Sequence, residues 1–270
     1  MKDSEIAKRG LLLLGCGKMG SAMLAGWLTR GLPAQSVHVH DPFPSDWLRA
    51  QGVHLNGVLP QNPAIALIAV KPQMMTEALP GLQALGGGGT LFLSVAAGVS
   101  IDSYENMLGK QTPIIRAMPN TPAAIGQGIT AMTGNQATTA AHLDQARTLL
   151  SAVGEVVCLE EEAQMDAVTG LSGSGPAYVF YMIDCLAKAG EAQGLGPDLS
   201  MALAKATVAG AGALAIQASE SPEQLRLNVT SPNGTTQAGL EVLMDPGALS
   251  DLITRTVAAA AERSRELGNG

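Results

Sequence analysis

The chain has 270 residues, of which 46% are apolar and 14% are charged, and its formal net charge is −7. This composition excludes a disordered chain, and three widely spaced cysteines exclude a disulfide scaffold. Lys and Arg are scattered, so no basic patch indicates a nucleic-acid partner. Lys205 interrupts the most apolar stretch, and we count no run of the ~18 uncharged apolar residues that a membrane span needs. We therefore expect a soluble, cytoplasmic protein without a membrane partner.

The cysteines are Cys16, Cys158 and Cys185. Their number and spacing favour free thiols in a reducing compartment, each serving as a small buried apolar side chain. We assign no metal ligand.

Short apolar runs alternate with helical patterns in the first half of the chain. Strands are predicted at 11–14, 37–40, 65–70 and 90–95, with 114–117 and 156–159 as further candidates and a helix at 21–30. Such runs, separated by helices, are typical of a parallel sheet covered on both faces.

The pattern becomes helical after about residue 160. Helices are predicted at 163–169, 175–193, 198–219, 222–228, 235–244 and 248–267. We therefore predict an α/β domain at 1–160, a doubly wound and mostly parallel Rossmann fold, and an all-helical domain at 161–270. Gly210 and Gly212 within the third of these helices indicate close approach of another helix, since glycine destabilises a helix interior. One helical layer of this size leaves apolar faces uncovered, so we expect a homodimer.

A glycine-rich loop, Gly15-Cys16-Gly17-Lys18-Met19-Gly20, follows the first predicted strand and opens the helix. This context predicts dinucleotide binding. Gly15 permits the tight turn, Gly17 lets a pyrophosphate approach the backbone, and Gly20 lets the helix pack closely on the strand.

Asp41 stands 21 residues after Gly20, at the end of the second predicted strand. An acidic residue there typically binds the adenosine ribose 2′-hydroxyl, which favours NAD over NADP. The alternative is a simple turn residue, because Asp-Pro is common in turns.

Two further segments follow predicted strands, Ala69-Val70-Lys71-Pro72 and Ala96-Ala97-Gly98. Open α/β sheets bind ligands at these carboxyl ends. We interpret Lys71 as a residue that covers the cofactor site rather than as a catalytic amine.

The helical half contains no histidine, but it has two turns rich in glycine and hydroxyl groups. They are Leu171-Ser172-Gly173-Ser174-Gly175-Pro176-Ala177-Tyr178 and Val229-Thr230-Ser231-Pro232-Asn233-Gly234-Thr235-Thr236. Each precedes a helix, where free N–H groups and hydroxyls can bind a carboxylate. Ordinary helix capping is the alternative, chiefly for the first turn.

At these residues the chain resembles the pyrroline-5-carboxylate reductases over nearly its full length. The resemblance rests on the glycine loop, on Ala69–Pro72, on Arg116-Ala117-Met118-Pro119-Asn120-Thr121-Pro122, on Leu171–Tyr178, on Thr230–Leu243, and on Glu262-Arg263-Ser264-Arg265-Glu266-Leu267. It implies reduction of the cyclic imine 1-pyrroline-5-carboxylate to L-proline with NADPH or NADH, the last step of proline biosynthesis. It also implies a Rossmann domain followed by an all-α dimerisation domain, and in some members the dimers assemble into decamers.

The resemblance also implies site residues. The implied cofactor positions are Gly15, Cys16, Gly17, Lys18, Met19, Gly20, Ala69, Val70, Lys71, Pro72, Ala96, Ala97 and Asn228, and the implied substrate positions are Ser231, Gly234, Thr235 and Thr236. From the residue patterns themselves we add Asp41 to the cofactor site and Ser174 to the substrate site. Thr236 is the expected catalytic residue, near the imine nitrogen. A protonated imine is already electrophilic, so positioning can replace a strong base. We expect both subunits to line the substrate site.

Two residues depart from the family pattern. Asn233 stands where the family usually has glycine, and asparagine tolerates a positive φ better than other side chains. Asp41 argues for NADH, whereas members preferring NADPH carry a small hydroxyl or basic residue nearby; Ser45 can partly compensate. The balance slightly favours NADPH.

Two other functions fit parts of the pattern. A β-hydroxyacid dehydrogenase shares the two-domain plan but relies on a lysine in the helical half, and neither Lys188 nor Lys205 lies in a glycine-rich turn. A non-catalytic NAD(P)-binding sensor is expected to have lost the substrate turn, which is intact here.

Overall fold

The computed structural model describes residues 4–268, so the ends of the two predicted domain ranges lie outside it. Its eight strands are β1 (Leu11–Leu14), β2 (Val37–His40), β3 (His54–Leu55), β4 (Ile65–Ile68), β5 (Leu91–Ser94), β6 (Ile114–Met118), β7 (Gly128–Gly134) and β8 (Gly154–Cys158). They form one sheet in the order β3-β2-β1-β4-β5-β6-β7-β8.

The helices of the first half are α1 (Glu5–Arg9), α2 (Lys18–Thr29), α3 (Asp46–Arg49), α4 (Met75–Ala78), α5 (Ile101–Leu108), α6 (Ala140–Leu150) and α7 (Met165–Val168). The later ones are α8 (Gly175–Ala192), α9 (Pro197–Gln217), α10 (Pro222–Asn228), α11 (Thr235–Leu243) and α12 (Leu249–Gly268). This confirms the predicted fold class, an α/β region followed by a helical one.

β1 lies at the point where the strand order reverses. Leu11 pairs in parallel with Val37 of β2 on one side and with Ile65 of β4 on the other. Open α/β sheets bind ligands at the carboxyl ends of strands at such a point. Leu11 and Leu13 belong to one buried apolar cluster and Leu12 to a second, so both faces of the strand are covered.

β7 is the main element that the sequence patterns did not predict. It runs antiparallel to β6, with Arg116 opposite Thr133, and parallel to β8. The Asn135 side chain accepts a hydrogen bond from the Ile114 N–H (3.0 Å), which fixes the turn after β7 against the start of β6. The sheet is therefore mixed at this edge, in agreement with the prediction of a mostly parallel sheet.

The chain divides into two compact units. The first runs to Gly173 and includes the segment from Ala260 onward, and the second is Ser174–Ala259. These limits differ from the predicted boundary at 160/161, because long-range contacts join the end of α12 to the first unit. Ser264 donates a hydrogen bond to Asp166 (2.6 Å), and Leu267 lies against Gly98.

In the second unit, α8 and α9 pack side by side. Their close approach is at Gly190, where an added Cβ would lie 3.0 Å from the Ser200 Oγ. The prediction for Gly210 and Gly212 is not met within the chain, since no atom of the described residues lies within 4 Å of a Cβ added at either glycine.

The second unit leaves many apolar side chains exposed, among them Phe180, Tyr181, Leu203, Leu214, Ile216 and Val242. By length and composition, α9 is long and apolar enough to cross a membrane although it contains Lys205, and one such helix is weak evidence for a membrane span. The prediction of buried cysteines holds for Cys16 and is wrong for Cys158 and Cys185, which are exposed in the chain.

Candidate functional site

The three glycines of the loop after β1 have three different surroundings. Gly15 has φ +86°, and an added Cβ would lie 2.9 Å from the Ala69 carbonyl oxygen. A Cβ at Gly20 would lie 2.5 Å from the Gly15 carbonyl oxygen, so only glycine lets α2 start this close to the strand. A Cβ at Gly17, by contrast, would meet no described atom within 4 Å. Gly15 and Gly20 therefore allow close packing of the loop and α2 against the end of the strand, whereas Gly17 leaves space beside the backbone unoccupied.

α2 begins at Lys18, and its N-cap residue Gly17 offers no side-chain cap. The first N–H groups of a helix lack partners within the helix, and its dipole favours an anion there. With open space at Gly17, this end suits the pyrophosphate of a dinucleotide. The residues present thus fit the predicted cofactor.

Asp41 follows β2 and is bonded directly to the glycine loop. Its Oδ2 accepts a hydrogen bond from the Cys16 N–H (2.6 Å), and its Oδ1 accepts one from the Phe43 N–H (2.8 Å). Each carboxylate oxygen has a further acceptor site, so ribose hydroxyls can still bind. Asp41 is therefore both a turn residue and a candidate ribose ligand.

Asn56 supports Asp41 and was not predicted. Its side chain accepts from the Asp41 N–H (2.9 Å) and donates to the Asp41 carbonyl oxygen (2.8 Å), and its own backbone has φ +51°. The residue stands outside any motif, so the sequence carries no signal for this contact.

Cys16 is buried beside Asp41. Burial, with a smaller contribution from the Asp41 charge, raises the pKa of the thiol to about 11. The side chain therefore stays protonated at neutral pH and is a poor nucleophile.

The other two predicted cofactor segments lie at the same edge of the sheet. The Ala69 N–H donates to the Leu14 carbonyl oxygen (2.8 Å), and the Val95 N–H donates to the Ile68 carbonyl oxygen (3.0 Å). The adjacent strands β1, β4 and β5 thus end together. They bring Ala69-Val70-Lys71-Pro72 and Ala96-Ala97-Gly98 to the edge that carries the glycine loop, with Lys71 exposed.

A partly buried ion pair lies within the same unit. Arg116 donates to Glu162 (2.7 Å), and the same Glu162 oxygen accepts from the Ile101 N–H (2.9 Å). Sequence reasoning noted Arg116 only as part of a motif, and it gave no role to Glu162. The pair ties β6 to the segment before α7 and to the start of α5.

Two of the distinctive motifs contact each other. Asn120 accepts from the Ile129 N–H (3.0 Å) and donates to the Ser172 carbonyl oxygen (3.1 Å). Gly173 lies so close to Met118 that an added Cβ would be 2.7 Å from the methionine methyl. These motif residues therefore pack the first unit together.

The segment around residues 171–178 is helical rather than an open turn, which corrects the prediction. Residues Thr169–Gly173 form one π-helical turn, and Ser174 before α8 has right-handed helical φ and ψ with no side-chain cap. The Ser172 hydroxyl donates to the Val168 carbonyl oxygen (3.1 Å) and so stays within the helix. Such turns are frequent at functional sites.

The second predicted turn, at residues 231–236, is a true turn. Asn233 has φ +59°, the Gly234 N–H donates to the Ser231 carbonyl oxygen (3.0 Å), and α11 then starts at Thr235. The N-cap Gly234 again provides no side-chain cap. This helix start therefore presents N–H groups beside the exposed Thr235 and Thr236.

Asn228 is the last residue of α10, close before this turn in the chain. Its Oδ1 accepts a hydrogen bond from the Gln224 side chain (2.8 Å). The amide NH₂ group remains as the donor toward any ligand. Within residues 4–268, no group of three or more His, Cys, Asp or Glu side chains is placed to hold a metal ion.

Comparison with known proteins gives the family. Residues 162–267 match the family model described as pyrroline-5-carboxylate reductase dimerisation. The chain is 36% identical to the pyrroline-5-carboxylate reductase of Pseudomonas aeruginosa over 95% of this chain and 96% of that one. It is 40% identical to the Synechocystis enzyme over 95% and 97%. The chain belongs to the pyrroline-5-carboxylate reductase family.

Solved structures agree. The Coxiella burnetii pyrroline-5-carboxylate reductase superposes with a TM-score of 0.91 at 32% identity, covering 96% of this chain and 98% of that one. The Plasmodium falciparum pyrroline carboxylate reductase, solved with NADP bound, gives 0.85 at 27% identity, covering 97% and 99%. As a member of the family, the chain is an oligomeric oxidoreductase that uses a nicotinamide cofactor.

Proposed function

We propose that the chain reduces 1-pyrroline-5-carboxylate to L-proline, the last step of proline biosynthesis, and that it does so in the cytoplasm as a homodimer. The observation that carries the proposal is sequence identity: the chain is 36% and 40% identical to two pyrroline-5-carboxylate reductases over 95% of its length. The uncapped helix start at Thr235 supports it, because the substrate carries a carboxylate.

Substrate binding is assigned to the turn at residues 231–236. The Thr235 N–H holds the carboxylate, with the Ser231 and Ser174 hydroxyls as further donors. The Gly234 N–H, expected to share this role, instead closes the turn onto the Ser231 carbonyl oxygen (3.0 Å), so Gly234 shapes the site rather than donating to the substrate. Asn233 has a left-handed backbone in this turn, and at the helix start that follows, Gly234 is partly buried while Thr235 and Thr236 are exposed. The arrangement needs no charged side chain in the turn.

Thr236 is the proposed catalytic residue. Its hydroxyl hydrogen-bonds the nitrogen of the protonated imine, or relays a proton between that nitrogen and solvent water so that the hydroxyl itself stays protonated, while positioning lowers most of the barrier. The bound nicotinamide supplies a hydride. Gly15, Gly17 and Gly20 shape the backbone that holds its phosphates, and Asp41 and the Ala69–Pro72 and Ala96–Ala97 residues lie with them in the first unit. Asn228, in the second unit, is a further proposed cofactor ligand.

NADPH is proposed as the preferred cofactor by a small margin. The NADP bound to the Plasmodium falciparum relative supports this choice. Asp41 acts against it, because a carboxylate repels the 2′-phosphate, and its bonds to Cys16 and Phe43 hold that charge in place.

Oligomer formation explains the exposed apolar side chains of the second unit. Burying apolar surface contributes a free energy of about 25 cal/mol per Å², which makes association of these helices favourable. We propose the homodimer as the basic unit, with residues of both subunits in the substrate site and with decamers as a higher assembly.

The test is steady-state reduction of 1-pyrroline-5-carboxylate with NADPH and with NADH, followed at the nicotinamide absorbance. Thr236→Val should lower kcat/KM about a hundredfold. The control is Thr148→Val on α6, which removes an exposed hydroxyl bonded to the Asp144 carbonyl oxygen and should leave activity unchanged. Cofactor binding without turnover would reject the reductase and favour a sensor. An engineered monomer with full activity would reject the shared site.

A further inference from the structure

A pair of buried hydroxyls lies directly beneath one of the proposed cofactor segments. Ser94 is the last residue of β5, and it is 1% exposed. Tyr104, on α5, is 0% exposed. The two hydroxyl oxygens are 2.5 Å apart and share a hydrogen bond.

The Ser94 hydroxyl also accepts a hydrogen bond from the Ala96 N–H (3.2 Å). Ala96 lies just beyond the end of the strand, where the chain leaves the sheet beside the ends of β1 and β4. A buried side chain thus sets the direction of the backbone at a ligand-binding edge. The chain of contacts runs from Tyr104 through Ser94 to Ala96.

Packing alone gives no reason for these hydroxyls. Tyr104 belongs to an apolar cluster with Leu12, Ile68 and Phe92, in which a phenylalanine ring would serve equally well. Burying polar groups costs free energy unless they are hydrogen-bonded, and here the two hydroxyls bond each other while the Ser94 hydroxyl also accepts from the Ala96 N–H, so the pair gives the backbone at Ala96 a fixed partner. Burial raises the pKa of the Tyr104 phenol to about 12, which keeps the hydroxyl neutral at physiological pH.

We infer that Ser94 and Tyr104 are positioning residues for the cofactor: they hold the Ala96 backbone in its binding conformation without contacting the cofactor themselves. This inference rests on the cofactor site proposed above. Loss of either hydroxyl should weaken cofactor binding and leave the affinity for the imine unchanged.

The test compares Ser94→Ala and Tyr104→Phe with Thr90→Val. Thr90 immediately precedes β5, at its opposite end, is also 1% exposed, and donates a hydrogen bond to the Pro63 carbonyl oxygen (2.9 Å). All three variants lose one buried hydroxyl, but only the first two touch the Ala96 contact. The Kd for NADPH is measured by calorimetric titration of the full-length protein, together with the thermal midpoint and the KM for 1-pyrroline-5-carboxylate.

We expect Ser94→Ala and Tyr104→Phe to raise the Kd for NADPH about three- to tenfold, as expected for one lost hydrogen bond. Thr90→Val should have the same Kd for NADPH as the unaltered protein, although it should lose about as much thermal stability as the other two variants. The double variant should be little worse than Ser94→Ala, because both changes break the same contact chain.

Equal Kd values for Ser94→Ala and Thr90→Val would overturn the inference. So would a rise in the KM for the imine that matches the rise in the Kd for NADPH. The titration needs no substrate, so it remains informative if the protein binds NADPH without turnover. That outcome would refute the proposed reaction, and the Kd values would still test whether the two hydroxyls position the cofactor site. A protein that binds neither NADPH nor NADH would refute both.

Discussion

The carboxylate of Asp41 accepts a hydrogen bond from the backbone N–H of Cys16 at 2.6 Å. A residue expected to read the cofactor ribose therefore also holds the loop that binds the pyrophosphate. Charge-assisted hydrogen bonds of this kind are short and strong. Cofactor choice and loop geometry are thereby linked at one side chain.

Asp41→Asn should shift cofactor preference toward NADPH. Asparagine keeps an oxygen for the Cys16 N–H and removes the charge that repels the 2′-phosphate, although its NH₂ group gives up the hydrogen bond from the Phe43 N–H. Coulomb repulsion over several ångströms near a surface is worth about 1–4 kcal/mol, so the ratio of kcat/KM for NADPH to that for NADH should rise about tenfold or more. Asp46→Asn, a nearby loss of charge at the start of α3, is the control. An unchanged ratio in Asp41→Asn would show that this carboxylate does not set preference.

Gly17→Ala and Gly20→Ala should fail in different ways. A methyl group at Gly17 meets open space and the backbone has φ −69°, so the variant should fold with an unchanged thermal midpoint but bind NADPH at least tenfold more weakly. At Gly20 the methyl lies 2.5 Å from the Gly15 carbonyl oxygen, so folding itself should be destabilised by roughly 1–3 kcal/mol. Unchanged NADPH binding in Gly17→Ala would argue against a pyrophosphate at the loop.

Asn233→Gly should be nearly neutral for both stability and the KM of the imine, because asparagine already adopts the required φ of +59°. Asn56 is the matched comparison, since it has φ +51° but uses its side chain to bind Asp41. Asn56→Gly should lower the free energy of unfolding by about 1–2 kcal/mol. A tenfold fall in KM for Asn233→Gly would instead reveal strain in the turn.

Stability should fall at alkaline pH. The pKa of Cys16 rises from 9.0 to about 11 on folding and that of Tyr104 from 10.0 to about 12. Between these values the unfolded chain loses protons that the folded chain keeps, so the free energy of unfolding decreases as pH increases. Denaturant unfolding at pH 8 to 11 should show the decline, and Tyr104→Phe should make it shallower above pH 10. Identical slopes in both proteins would contradict this assignment.

The elements that the sequence predicted best are those with a purely local signal. The bounds of β1 and β2 agree with the predicted runs, and α10 with the predicted helix, because apolar runs and flanking turn residues mark their ends. β7 carries no comparable signal, since glycines bound it and threonines interrupt its apolar residues. Its place depends on pairing with β6 and on the side chain of Asn135.

The site shows the same division. The glycine loop and the turn at residues 231–236 were found because each places special residues within six positions. Asn56, Glu162 and the hydroxyls of Ser94 and Tyr104 were not found, since their partners are brought to them only by the fold. The helical geometry around Ser174 also escaped prediction, because the nearby glycines suggested a turn.

The return of α12 to the first unit has a consequence for synthesis. Asp166 and Gly98 are synthesised before their partners Ser264 and Leu267, so these two contacts form only after α12 has been made. The sheet region is made first but is completed by residues of α12 that are made later, Ser264 following Asp166 by 98 positions. A nascent chain ending at Gly173 therefore lacks contacts that its first unit needs, so folding of that unit is complete only after α12 has been synthesised.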